Sequence, residues 1–193
     1  MLEVGRLKNA TESRTHFAAW AVSSAPLILS FDLRVDSVMN EMWPIISNRD
    51  VLAVNQNTVT GWPGTRLSYT GAVNGNVGNS SQIWAKPLGN HSFAVLFMST
   101  GPQNSTFSLP FSEISQSFAG VKGHGDDEAT TDVRTTEVCV RDLYSKVDHG
   151  PVDSTVANLE AELLPHDSAF YCVRPATAEG GCADLFGCPG YDA

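Results

Sequence analysis

Hydrophobic positions follow different rules on either side of residue 57. In TESRTHFAAWAVSS, residues 11–24, Phe17, Trp20, Ala21 and Ser24 fall at i, i+3, i+4 and i+7. That spacing predicts a helix with one buried stripe, opened by Thr11 as N-cap and ended by Pro26. LILS, residues 27–30, comes next as an apolar run. A strand apolar on both faces and preceded by an amphipathic helix belongs in a parallel sheet covered by helices, with neighbours on both sides. FDLRVDSV then leads into a helical stretch over 38–56, broken at Pro44 and resumed as NRDVLAVNQ. The pattern to this point is a β/α alternation.

Beyond residue 57 short β-forming runs appear: TRLSYT, SQIWAKPL, SFAVLFMS, STFSLPF, TEVCVRDLY, ANLEAELL and SAFYCVRP. Several alternate apolar with polar positions, as Ile83 and Ala85 do against Trp84 and Lys86, and turn residues separate them. This half predicts an antiparallel sandwich. Residues 119–132 are expected to be a polar loop, and the end of the chain a poorly structured tail apart from a disulfide. The division is 1–60, 61–175 and a cysteine-containing tail, 176–193.

The 193 residues are 42% hydrophobic and 17% charged, as in an ordinary globular chain that buries a core. A net charge of −9 argues against nucleic acid and anionic membrane surfaces as partners. No apolar run approaches the roughly 20 residues that span a bilayer. The start, MLEVGRLKNATESRT, has no apolar signal-peptide core, which alone would leave the chain in the cytosol. Other features point to secretion. Asn9, Asn79, Asn90 and Asn104 each open an Asn-X-Ser/Thr glycosylation triplet in polar surroundings. Cys139, Cys172, Cys182 and Cys188 have no CxxC pair and no histidine at zinc-ligand spacing, so two disulfides are expected and no metal or cofactor. Four cysteines allow three connectivities; the favoured one joins Cys182 to Cys188 across a short Gly-containing loop and Cys139 to Cys172 between strand-like runs.

Candidate chemistry within the chain is sparse. Asp32 lies just past LILS and is expected to cap the next segment. Asp126, Asp127 and Glu128 sit among glycines without the alternating spacing of a calcium loop. His166, Asp167 and Ser168 are adjacent, and adjacent side chains cannot align as nucleophile, base and orienter, so PHDS is expected to be a turn. His16 has no partner ligand at i+4. Of the tryptophans, Trp20 and Trp84 are expected in the core and Trp62, in TGWPG, exposed at a domain junction.

MLEVG, RTHFAAWAVSSAPLILSFDLR, NRDVLAVNQ, QIWAKPL, VRDLYSK and LLPHDSAFYCVRP stand in an order and spacing that resemble the C-terminal part of the retaining α-galactosidases and α-N-acetylgalactosaminidases, glycoside hydrolase family 27. The resemblance implies an α/β remnant, the last βα unit of a (β/α)8 TIM barrel, followed by the all-β antiparallel C-terminal sandwich. PLILS then corresponds to the eighth barrel strand and MLEVG to the segment after the seventh, so the missing strand partners belong upstream. The resemblance also implies hydrolysis of terminal α-D-galactosyl residues on oligosaccharides or glycoconjugates by a secreted, vacuolar or lysosomal parent. Its catalytic aspartates match positions upstream of Met1, so the chain alone is expected to be inactive. Only Met1 matches a position lining the galactose pocket. Two departures stand out: Ser30-Phe31-Asp32-Leu33 where the family has Gly-Cys-Asp-Leu, and Asn55-Gln56-Asn57 where it has Asn-Gln-Asp. A non-catalytic sandwich that binds carbohydrate or protein is the alternative, disfavoured because a self-sufficient module has no use for an unpaired apolar strand. On the fragment reading residues 1–57 are expected to pack poorly on the sandwich, whereas residues 60–175 are expected to fold alone.

Overall fold

A computed structural model describes residues 1–70, 80–118, 137–176 and Cys182. Three helices come first: α1 (Ala10–Val22), α2 (Asp36–Ile46, with Pro44 inside it) and α3 (Arg49–Gln56). The strands are β1 (Thr65–Thr70), β2 (Ser81–Gly89), β3 (Ser92–Ser99), β4 (Ser105–Pro110), β5 (Glu137–Asp142), β6 (Asp148–Asp153), β7 (Asn158–Leu163) and β8 (Ser168–Pro175), with a short helix α4 (Phe111–Ser117) after β4. A six-stranded sheet has the order β1-β2-β3-β8-β5-β6, and β4 pairs with β7 in a second sheet. Every strand pair is antiparallel.

The central strands of the large sheet are buried on both sides because something covers each face. One core joins Ala94, Leu96, Met98 and Phe170 of the sheet to Phe17, Ala18, Ala21, Val22, Val51 and Val54 of α1 and α3. The other joins Phe93, Val95, Phe97 and Val140 to Phe107, Leu109, Leu159 and Leu163 of the small sheet and to Phe111 and Ile114 of α4. All eight residues of β3 are buried, which is why SFAVLFMS reads as an unbroken apolar run in an antiparallel sheet.

Several sequence expectations are corrected. Asn9, not Thr11, caps α1: its Oδ1 accepts from Glu12 N at 2.8 Å. The helix ends at Val22, and Ser24 lies beyond it, exposed and left-handed at φ 56° rather than in the buried stripe. LILS is not a strand but a single parallel bridge, Leu2 to Leu29. Residues 1–57 do not pack poorly, since their helices share the core of the sheet. The short helix α4 and the strand β6, DHGPVD, carried no periodic signal. The favoured disulfide pairing is overturned: Cys139 bonds Cys182, with Cα atoms 5.7 Å apart, and Cys172 is disulfide-bonded elsewhere. Cys139 and Cys172 sit on adjacent strands but out of register, Cys139 opposite Arg174 and Cys172 opposite Arg141. Cys188, Asn79 and the Asp126–Glu128 cluster lie outside the described residues.

Candidate functional site

Two surfaces of the helical layer concentrate polar chemistry. The first surrounds the bridge between residues 1–5 and 27–30. Leu2 N donates to Ile28 O at 2.8 Å, and the Ser30 hydroxyl donates to Leu2 O. Gly5 is left-handed at φ 77°, and a Cβ there would meet the Phe31 ring at 2.9 Å, so the turn after this segment needs glycine. Leu2 and Val4 are fully buried, whereas Met1 (67%), Ile28 (57%), Leu33 (55%) and Trp43 (56%) are exposed. The segment is thus covered by helices on one side and bare on the other.

Asp32 stands just beyond the bridge. Its Oδ1 accepts from Arg34 N at 3.0 Å, and its carboxylate takes two guanidinium bonds at 2.9 and 2.8 Å. Those bonds hold its pKa below the usual carboxylate value. It therefore caps the local turn at Arg34 rather than α2, whose N-cap Val35 makes no side-chain bond.

The second surface is the junction between helices and sandwich. Lys86, expected on a polar face of its strand, is fully buried, and its Nζ donates to Val54 O at 2.5 Å and Asn57 O at 2.9 Å. The ammonium closes the C-terminal end of α3, where carbonyls lack helical partners and the helix dipole favours a cation. Burial lowers its pKa to about 8. Asn57 donates from Nδ2 to Leu88 O at 3.1 Å, a bond the aspartate expected from the family could not make when ionised. Asp50 of α3 accepts from Arg141 Nε at 2.9 Å, and Arg141 also reaches Asp148 at 2.6 Å. A cavity of about 400 Å³ opens at this junction, lined by Ser24, Gln56, Thr58 and Trp62 among others.

PHDS is a turn with His166 at φ 61°, and its three polar side chains go separate ways. Asp167 pairs with Arg14 at 2.7 Å, whose guanidinium also lies over the Tyr144 ring. Ser168 accepts from the Thr15 hydroxyl at 2.9 Å and shares a hydrogen bond of 2.8 Å with the Tyr144 hydroxyl. Its residues dock α1 onto β8 and form no triad. His16 accepts at Nε2 from Glu3 N at 3.1 Å, and burial lowers its pKa while Glu3 opposes the shift. Trp20 and Trp84 pack at the edge of the helix-side core, half-buried rather than enclosed, and Trp62 is 49% exposed. Among the described residues no group of three or more His, Cys, Asp or Glu side chains is placed to hold a metal. Lys86 was the residue that sequence reasoning missed, and a lone lysine in an apolar strand run, followed by Pro87, was its only signal.

One large and one small antiparallel sheet thus form a sandwich, joined through a buried polar junction to a helical layer with a single parallel bridge. Residues 78–173 match the family model described as alpha galactosidase C-terminal beta sandwich domain. The chain is 30% identical over 177 residues to an α-galactosidase of Cyamopsis tetragonoloba, covering 91% of this chain and 36% of that protein. It is 29% identical to one of Coffea arabica, covering 91% and 39%. In fold it is similar to α-galactosidase I of Mortierella vinacea, with a TM-score of 0.67 at 24% identity over 91% of this chain and 38% of that one. The α-galactosidase of Saccharomyces cerevisiae, determined with raffinose, gives 0.68 at 20% identity over 91% and 46%. The chain belongs to the α-galactosidase family, glycoside hydrolase family 27, and spans little more than a third of the length of these plant relatives.

Proposed function

We propose that these residues are the C-terminal portion of a retaining α-galactosidase, with residues 1–60 the last βα unit of its catalytic barrel and 61–175 its sandwich. The observation that carries this reading is the Leu2–Leu29 parallel bridge, backed by docked helices on one side and edged by exposed Ile28, Leu33 and Trp43 on the other. A barrel strand has that environment when its remaining neighbours are supplied by other residues.

Retaining hydrolysis uses two carboxylates about 5–5.5 Å apart, one forming the glycosyl-enzyme bond and one protonating the leaving oxygen. In this reading both come from barrel strands outside the 193 residues, and Met1 lines the galactose pocket. Five of the carboxylates described here have other work: Asp50, Asp148 and Asp167 hold arginines, and Asp32 and Asp142 cap turns. The substrates are terminal α-galactosides of oligosaccharides or glycoconjugates. The oxidised cysteines favour a secreted or vacuolar compartment over the reducing cytosol.

The test is to sequence the transcript upstream of Met1, express the extended frame and follow p-nitrophenyl α-galactoside hydrolysis by proton NMR. The expected first product is α-galactose from the extended protein and none from the 193-residue chain. An extended frame without barrel units, or β-galactose released first, overturns the reading.

A further inference from the structure

We infer that Asn90 and Asn104 are N-glycan acceptors that bracket β3 and shield its apolar run while the chain folds. The inference rests on the secretory reading above and goes beyond it.

Four asparagines have their amide nitrogens engaged. Asn48, Asn55, Asn57 and Asn158 donate from Nδ2 to Leu143 O, Ala25 O, Leu88 O and Ser108 Oγ respectively. None of the four opens an Asn-X-Ser/Thr triplet. Asn90-His91-Ser92 and Asn104-Ser105-Thr106 do, both asparagines are exposed, and no hydrogen bond among the described residues engages their Nδ2 atoms. Asn90 sits at the tip of the β2–β3 hairpin at φ 49°, and Asn104 precedes β4. Asn9 is exposed too, but its Oδ1 caps α1 and it lies far from β3 in sequence.

The run between the two acceptors gives the modification a purpose. SFAVLFMS has no charge, no proline and no glycine, and every residue of it is buried in the finished fold. Runs with high β-propensity and no charge associate readily while unpaired. β3 must find β2 locally but β8 from about eighty residues away, as Phe93 pairs with Val173, so in a nascent chain it waits for its second partner. A bulky hydrophilic glycan at each end obstructs strand-to-strand contact between chains without occupying the faces that become core.

The modification is a glycosyl transfer from a polyprenyl-pyrophosphate-linked oligosaccharide. The bond from Nδ2 to the sugar C1 forms, the bond from C1 to the pyrophosphate oxygen breaks, the lipid pyrophosphate leaves, and Nδ2 gives up one proton. Oδ1 is untouched.

The experiment expresses the full chain behind a secretion leader in a eukaryotic host, removes glycans enzymatically in heavy-oxygen water and maps labelled aspartate by mass spectrometry, which does not depend on folding. Expected are label at positions 90 and 104, and a severalfold loss of soluble secreted protein in the Asn90→Gln, Asn104→Gln double variant. Thr106→Ala should reproduce the loss of label at 104 and Thr106→Ser should retain it. Unlabelled positions in protein whose Cys139–Cys182 bond has formed overturn this inference and leave the secretory reading standing. Unlabelled positions with that bond absent overturn both. Label at both positions with unchanged yield in the double variant overturns the shielding role.

Discussion

Lys86 shows how one residue joins two parts of the molecule. It lies on a strand of the sandwich, yet its ammonium serves the carbonyls that end α3. Lys86→Met keeps the apolar stem and removes the donor, leaving buried carbonyls unsatisfied. The expected cost is about 2–3 kcal/mol, read from the urea midpoint at pH 7. The pH dependence has a definite sign. The unfolded chain holds the Lys86 proton up to its ordinary pKa of 10.5, and the folded chain releases it near 8. Between those values the unfolded state binds more protons, so this group makes stability rise with pH across that window. The rise should be absent in Lys86→Met, and identical slopes in the two proteins would remove the buried-ammonium account.

At the level of elements, α3 is anchored by a second side chain with two separable roles. Oδ1 of Asn48 caps the helix by accepting from Asp50 N at 3.1 Å and Val51 N at 3.3 Å, and Nδ2 donates to Leu143 O at 2.8 Å in the segment after β5. Asn48→Ala loses both and should cost about 2 kcal/mol, roughly one from the cap and one from the buried bond. Asn48→Asp keeps the cap but faces Leu143 O with an acceptor, so calorimetry should show it destabilised while α3 helicity is retained. The disulfide acts at the same scale. Cys139–Cys182 closes a separation of 43 residues, and the Cys139→Ser, Cys182→Ser double variant should lose about 3–4 kcal/mol in thermal unfolding.

Elements that bury one face or a whole run were legible in the sequence, because burial writes a period: α1, α3, β2, β3, β4, β5, β7 and β8 all coincide with predicted runs. β6 was not, since Asp148–Asp153 is mostly exposed and contains Pro151, which an edge strand tolerates and a periodicity reading rejects. Lys86 was misplaced because alternation assigns a face but not what covers it. Here the covering layer presents carbonyls, and a charged residue is wanted on the buried side. The disulfide pairing depended on register between β5 and β8, which no local pattern records. The candidate site was legible only as a family resemblance, because no spacing of titratable residues within the chain marks one.

For the whole molecule, the helical layer and the sandwich share one core, so neither half should behave as an independent unit. Removing residues 1–60 uncovers Leu88, Ala94, Leu96, Met98 and Phe170 on one face of the large sheet. Residues 61–193 expressed alone should bind a hydrophobic dye strongly and unfold without a sharp transition, whereas the full chain should melt in one cooperative step. The full chain keeps its own exposed strip of Ile28, Leu33 and Trp43, and that strip should drive association rather than instability. Ile28→Lys with Trp43→Lys should therefore shift the full chain toward monomer in analytical ultracentrifugation while leaving its melting temperature nearly unchanged. A matching fall in melting temperature would mean that the strip is packed within the chain itself, and the barrel-edge interpretation of residues 27–43 would have to be abandoned.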